Sequence, residues 1–218
     1  MKSKVTSTQR ALNLWAIILI IWAVYRAKFK LPVWFDEFIA KPLVFVLPVY
    51  YYVKNIKKKP FFSAIDFKAK VTLPDIFYAL IIGIIFSFSA ILANILKFKK
   101  LVLFQNAISF ENIVFMVIIA LATGISEEIL SRGFILKRLY QESKNIYSSS
   151  FFSSILFLFL HIPILFTNFK LTGDMLLLFL GTDLVLSLVN SFMFLQRRSL
   201  IVPILIHAFY NLSVIFFI

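Results

Sequence analysis

Six ionisable side chains stand inside long apolar stretches of this sequence: Glu127, Glu128, Arg132, His161, Asp183 and His207. Asn94, Asn190 and Asn211 add uncharged polarity. In hydrocarbon such groups are costly, and by default they mark function. Glu127 and Glu128 are adjacent, so they point about 100° apart on a helix. Arg132 follows Glu128 by four residues on the same face. A Glu128–Arg132 pair there neutralises one acid and leaves Glu127 free. His207 and Asn211 are also four apart, and Phe157 lies one turn before His161. At about 1.5 Å of rise per residue, Glu127, His161, His207 and Asn211 lie about 12–20 Å in from the expected cytoplasmic ends of their helices. Three separate helices thus bring polar groups to a similar level.

A carboxylate, two imidazoles and an amide suit hydrolysis. A glutamate takes a proton from water as general base. One imidazole shares or holds that water, while a second imidazole and an amide donate to the oxyanion of a tetrahedral intermediate. The same residues offer a zinc alternative, with Glu127, His161 and His207 as ligands and water as the fourth. Spacing alone does not separate the two. The chain has no Cys and only two His, so thiolate chemistry is excluded and all imidazole chemistry runs through His161 and His207. Asp183 reads as a structural partner for Arg132 or a histidine. Asn94 and Asn190 read as hydrogen-bonders between helices, and Gly124 and Gly133 as sites of close packing or a kink.

Positioning these residues falls to apolar helices. Of 218 residues, 61% are hydrophobic, 15% are charged and 27 are Phe. A soluble domain of this size has too much surface to hide that content, which excludes a cytosolic enzyme, a secreted domain and a disordered chain. The expected fold is all-α: a polytopic helical membrane bundle of about seven to eight transmembrane helices. Candidate spans fall near 11–25, 32–53, 74–96, 111–136, 148–166, 174–195 and 200–218. The second is the weakest, because Asp36, Glu37 and Lys41 sit in its first half and Pro48 interrupts it. It reads as an interfacial piece followed by a span. No linker, repeat or low-complexity tract divides the chain, so 1–218 is expected to be a single integral membrane domain.

The net charge of +13 carries topology. With the N-terminus inside, the inner tail and loops hold fourteen basic residues and the outer loops seven. This favours a cytoplasmic N-terminus. The stretch KNIKKKPFF beside a span reads as a contact with anionic headgroups of the bilayer, not with nucleic acid.

Three elements, EEILSR at 127–132, FLFLH at 157–161 and HAFYN at 207–211, resemble the EExxxR, FxxxH and HxxxN motifs of the CAAX-protease and bacteriocin-processing (CPBP, Abi) membrane proteins. The resemblance covers about residues 108–216 and uses both histidines. It implies a multi-pass intramembrane endopeptidase of the cell membrane, with a catalytic core over 108–216 and a cavity open toward the cytoplasm. Carried over, Glu127 activates water with His161 assisting, His207 and Asn211 form the oxyanion site, and Glu128 and Arg132 hold the geometry. It favours a metal-free glutamate mechanism over zinc on Glu127, His161 and His207, without deciding between them. The implied substrate is a peptide precursor, a lipidated tail or a small membrane protein. The alternative is a non-catalytic protein of the same fold, acting in bacteriocin self-immunity or regulation.

Overall fold

The computed structural model describes residues 5–68, 71–102, 109–167 and 173–217. Lys2, Lys4, Lys70 and Lys170, four of the basic residues used to orient the chain, lie outside them. Eight helices and no strand are found among the described residues: α1 Ser7–Lys28, α2 33–56, α3 Phe61–Ala64, α4 Leu73–Phe98, α5 Phe110–Ser143, α6 Ile146–Thr167, α7 Gly173–Arg197 and α8 Ile201–Phe217. Helices α1, α4, α5, α6 and α7 are long and apolar enough to cross a membrane. The apolar α8 is shorter, at 17 residues. The fold is a helical membrane bundle whose lipid-facing surface shows Ile17, Ile20, Ile21, Ile84, Ile85 and Phe88.

Local chemistry sets the helix ends. Thr6 caps α1 by accepting from the Gln9 N–H at 3.1 Å. Ser109 caps α5 in the same way. At the start of α4, the Thr72 N–H and hydroxyl both donate to the Asp75 carboxylate, at 2.9 and 2.6 Å. Pro74 fills the first turn there, where its missing N–H costs nothing. Arg197, at the end of α7, donates to Asp75 at 2.7 Å and ties the two helices together.

Helix α2 departs from the expectation of an interfacial piece followed by a span. It is one continuous helix, and Asp36, Glu37 and Lys41 are buried within the bundle. Asp36 accepts from the Tyr25 hydroxyl at 2.5 Å and pairs with Arg26, which pins the start of α2 to the end of α1. Several turns of α2 are wide, with the N–H groups of Lys41, Leu47 and Lys57 reaching back five residues. The chain tolerates three charges in this helix because each finds a partner.

Two apolar clusters make the core. One joins α1, α2, the second half of α5 and α6 through Trp22, Phe45, Phe134 and Phe157. The other joins α4, α7 and α8 through Phe86, Leu186, Ile206 and Tyr210. Helix α8 packs mainly on α4 and α5. Between α3 and α4, the fully buried Ile65 drops into the first cluster against Gly133. A Cβ on Gly133 would lie 2.9 Å from the Ile65 Cβ and 3.2 Å from its carbonyl oxygen. Gly133→Ala is therefore expected to cost about 1–3 kcal/mol of stability, read as a lowered thermal midpoint in detergent.

Candidate active site

Helix α5 supplies Glu127, Glu128 and Arg132, α6 supplies His161, α7 supplies Asp183, Ser187 and Asn190, and α8 supplies His207 and Asn211. After Glu128 the helix widens into π-type turns over Ile129–Leu136. Such wide turns re-aim side chains and recur at functional sites. Gly124 lets α5 and α8 approach closely: a Cβ there would sit 3.1 Å from the Ile204 carbonyl oxygen and 3.7 Å from the His207 Cβ.

The inner layer of the site is built on Glu128, which has no exposed surface. Its Oε1 accepts from Arg132 Nη1 at 3.0 Å and from Asn190 Nδ2 at 3.0 Å, and pairs with His207 Nδ1 at 2.9 Å. Arg132 also donates through Nη2 to the Ser187 carbonyl at 3.0 Å and to its hydroxyl at 2.7 Å. Its guanidinium lies over the Phe157 ring, 4.4 Å from the centroid. The Phe157 ring also touches both imidazoles, with centroids 4.8 Å from His161 and 5.8 Å from His207. One aromatic side chain thus sets the spacing of the two rings.

In the outer layer, Glu127 Oε2 lies 3.7 Å from His161 Nε2 and 3.6 Å from His207 Nε2. That oxygen is buried and has no hydrogen-bond partner. Both separations lie beyond direct hydrogen-bonding distance. His161 Nδ1 faces the Phe157 carbonyl at 3.2 Å and Asp183 Oδ2 at 3.4 Å. Both acceptors favour a proton on Nδ1, which leaves Nε2 as a lone pair facing the gap. Asp183 therefore stands against His161. Asn211 lies one turn beyond His207, and its Nδ2 is buried without a partner. No hydrogen bond joins it to the other site residues among the described residues.

Glu127 is not the free acid expected from the Glu128–Arg132 spacing. Its Oε1 accepts from Lys41 Nζ at 2.7 Å, and Lys41 also donates to Glu37 Oε1 at 2.7 Å. Glu37 Oε2 accepts from the Thr123 hydroxyl at 2.7 Å, one turn before Glu127. Lys41 and Glu37 are the site residues that sequence reasoning passed over. The available signal was arithmetic: of 23 basic residues, only Lys41 and Arg132 fall outside the tails and loops, and Lys41 stands four residues after Glu37. Lys41→Met leaves Glu37 buried without a cation and removes the ammonium from Glu127. It is expected to lower both membrane accumulation and any Glu127-dependent activity at least about tenfold, with partial recovery in Lys41→Arg. Immunoblots of membrane fractions alongside activity measure both effects.

Glu127, His161 and His207 are the donor set that zinc would need. Among the described residues, no group of three His, Cys, Asp or Glu side chains is arranged to hold a metal. The carboxylate that would be a ligand already carries the Lys41 ammonium on its other oxygen. As arranged, these side chains form no zinc site among the described residues.

No curated protein and no solved structure matches the chain significantly. Residues 109–213 match a family model described as Rce1-like, type II CAAX prenyl endopeptidase. The matched segment is about half of the chain and contains Glu127, Glu128, Arg132, His161, His207 and Asn211; Lys41 and Glu37 lie before it. With this match on the same three helices that build the buried carboxylate–imidazole site, the chain belongs to the family of Rce1-like, CAAX-protease-type membrane proteins.

Proposed function

We propose that the chain is a metal-free intramembrane endopeptidase that hydrolyses a peptide bond near the cytoplasmic face of the cell membrane. The observation that carries this reading is the unpartnered Glu127 Oε2, with two imidazole Nε2 atoms at 3.6 and 3.7 Å. A water held there donates one hydrogen to Glu127 Oε2 and the other to His161 Nε2. Its oxygen attacks the scissile carbonyl carbon as Glu127 takes the proton. A doubly protonated His207, countered by Glu128 on Nδ1, offers its Nε2–H to the developing oxyanion, and the free Asn211 amide offers a second donor. On collapse of the tetrahedral intermediate the C–N bond breaks, and the proton on Glu127 passes to the leaving amine. Lys41, Glu128 and Arg132 hold the reacting groups in place.

Family membership supports a peptide bearing a C-terminal prenylated tail as the substrate class. The charge distribution supports a cytoplasmic N-terminus, with the site reached from that side. The test is a reconstituted assay on purified full-length protein with reporter peptides that end in a CAAX sequence, farnesylated and bare. Cleavage of the farnesylated peptide that persists in a zinc chelator and vanishes in Glu127→Gln supports the reading. Chelator-sensitive cleavage overturns its metal-free part. Equal cleavage by the Glu127→Gln protein overturns Glu127 as the base.

A further inference from the structure

At the end of the bundle away from the start of α5, a cavity of about 200 Å³ opens between the start of α1, the segment joining α2 to α3 and the last turns of α5. Lys57, Lys59, Lys137 and Arg138 line it together with Ser63 and Gln141, and no carboxylate does. Four cations around one small cavity repel one another unless an anion joins them.

The surrounding structure holds them there. Ile65 is buried against Gly133, and the Asp66 carbonyl accepts from the Leu200 N–H at 3.2 Å. Asp66 also pairs with Lys137 at 2.7 Å, which positions that ammonium and gives one of the four cations a counter-ion. Arg138 is buried, with Nη1 donating to the Phe134 carbonyl at 2.6 Å and the guanidinium 4.0 Å from the Phe134 ring centroid. Its Nε is buried and has no partner. Lys57 and Lys59 are exposed and paired with no carboxylate among the described residues. The result is one fixed guanidinium, one paired ammonium and two exposed ammonium groups, with a hydroxyl and an amide beside them. This is the chemistry of a phosphoryl anion: ammonium groups as point charges beside a buried guanidinium that adds positive potential.

We infer that this cavity binds a phosphoryl group, from either the headgroup of an anionic phospholipid or a free phosphate. The site is distinct from the carboxylate–imidazole centre but stands on the same helix. Glu127 precedes Lys137 by ten residues, about 15 Å along α5. A headgroup held here would fix the depth of Glu127 below the phosphate plane of the bilayer.

The experiment uses the full-length protein. Thermal midpoints are read in detergent with and without inorganic phosphate, and in phosphatidylcholine vesicles with and without phosphatidic acid. The wild type is expected to gain about 3–8 °C with at least one probe. A double variant, Lys57→Gln with Lys59→Gln, changes only exposed side chains and is expected to lose that gain. The matched control, Lys99→Gln with Lys100→Gln beyond the far end of α4, is expected to keep it. A gain with phosphatidic acid alone assigns a lipid headgroup, and a gain with inorganic phosphate assigns a free phosphate. No gain with either probe, or an equal gain in the Lys57/Lys59 variant, overturns the inference.

Discussion

Glu127→Gln is expected to lower peptide cleavage by about 10²–10⁴-fold, the range for loss of a general base, with unchanged accumulation in the membrane. The amide keeps the size of the carboxylate and can still accept from Lys41 through its oxygen. At the position of Oε2 it presents N–H donors in place of lone pairs, so it neither accepts a proton from water nor anchors one between the two imidazoles. Folding should survive because Lys41 keeps its second carboxylate, Glu37 Oε1, at 2.7 Å. Activity and membrane level therefore separate in this variant. A purely structural network gives the opposite pattern, with retained function or a joint loss of both. Cleavage kinetics normalised to immunoblotted protein distinguish the two, and wild-type turnover in Glu127→Gln would sink the catalytic assignment.

Arg132→Met is expected to produce the largest loss of stability, about 3–5 kcal/mol, because it strips the fully buried guanidinium from a buried carboxylate. Arg132 and Glu128 both have no exposed surface. Without the guanidinium, Glu128 keeps only Asn190 and His207 on Oε1, and the Ser187 carbonyl and hydroxyl lose their donor. The Phe157 ring, which spaces the two histidines, loses the cation stacked on it. The double variant Glu128→Gln with Arg132→Met removes both charges and should be less damaged than the sum of the single changes. A thermal-denaturation cycle over the four proteins reads that coupling directly. An Arg132→Met protein with the wild-type midpoint would show that the pair carries little of the fold.

Residue spacing made much of this arrangement legible. Glu128–Arg132 is a pair within one helix, so its geometry follows from the four-residue separation alone. Apolar runs of about 20 residues made most of the membrane helices visible in the same way. What stayed hidden depends on how the helices rotate against each other. Nothing in linear spacing aims Asn190 and Ser187 of α7 at Glu128 and Arg132, because that requires the crossing of α7 with α5. The wide turns over Ile129–Leu136 also break the regular helical period. Lys41 was hidden for a different reason. Mean hydropathy counts Asp36, Glu37 and Lys41 as penalties against a buried helix, yet each is neutralised by a partner: Tyr25 and Arg26, Lys41 and Thr123, and Glu37 and Glu127. A one-dimensional average cannot register charges that cancel in three dimensions.

The double grip of Lys41 has a consequence for biogenesis. Helix α2 leaves the ribosome long before α5, so for a time Lys41 exists without Glu127. A lone lysine at the centre of a helix costs about 2.5–3.5 kcal/mol to insert. Glu37, one turn earlier, provides an internal counter-ion that travels with it. The helix can therefore enter the bilayer as a nearly neutral unit and present its ammonium to Glu127 when α5 arrives. Glu37 serves as an escort during insertion and becomes part of the scaffold once the bundle has closed.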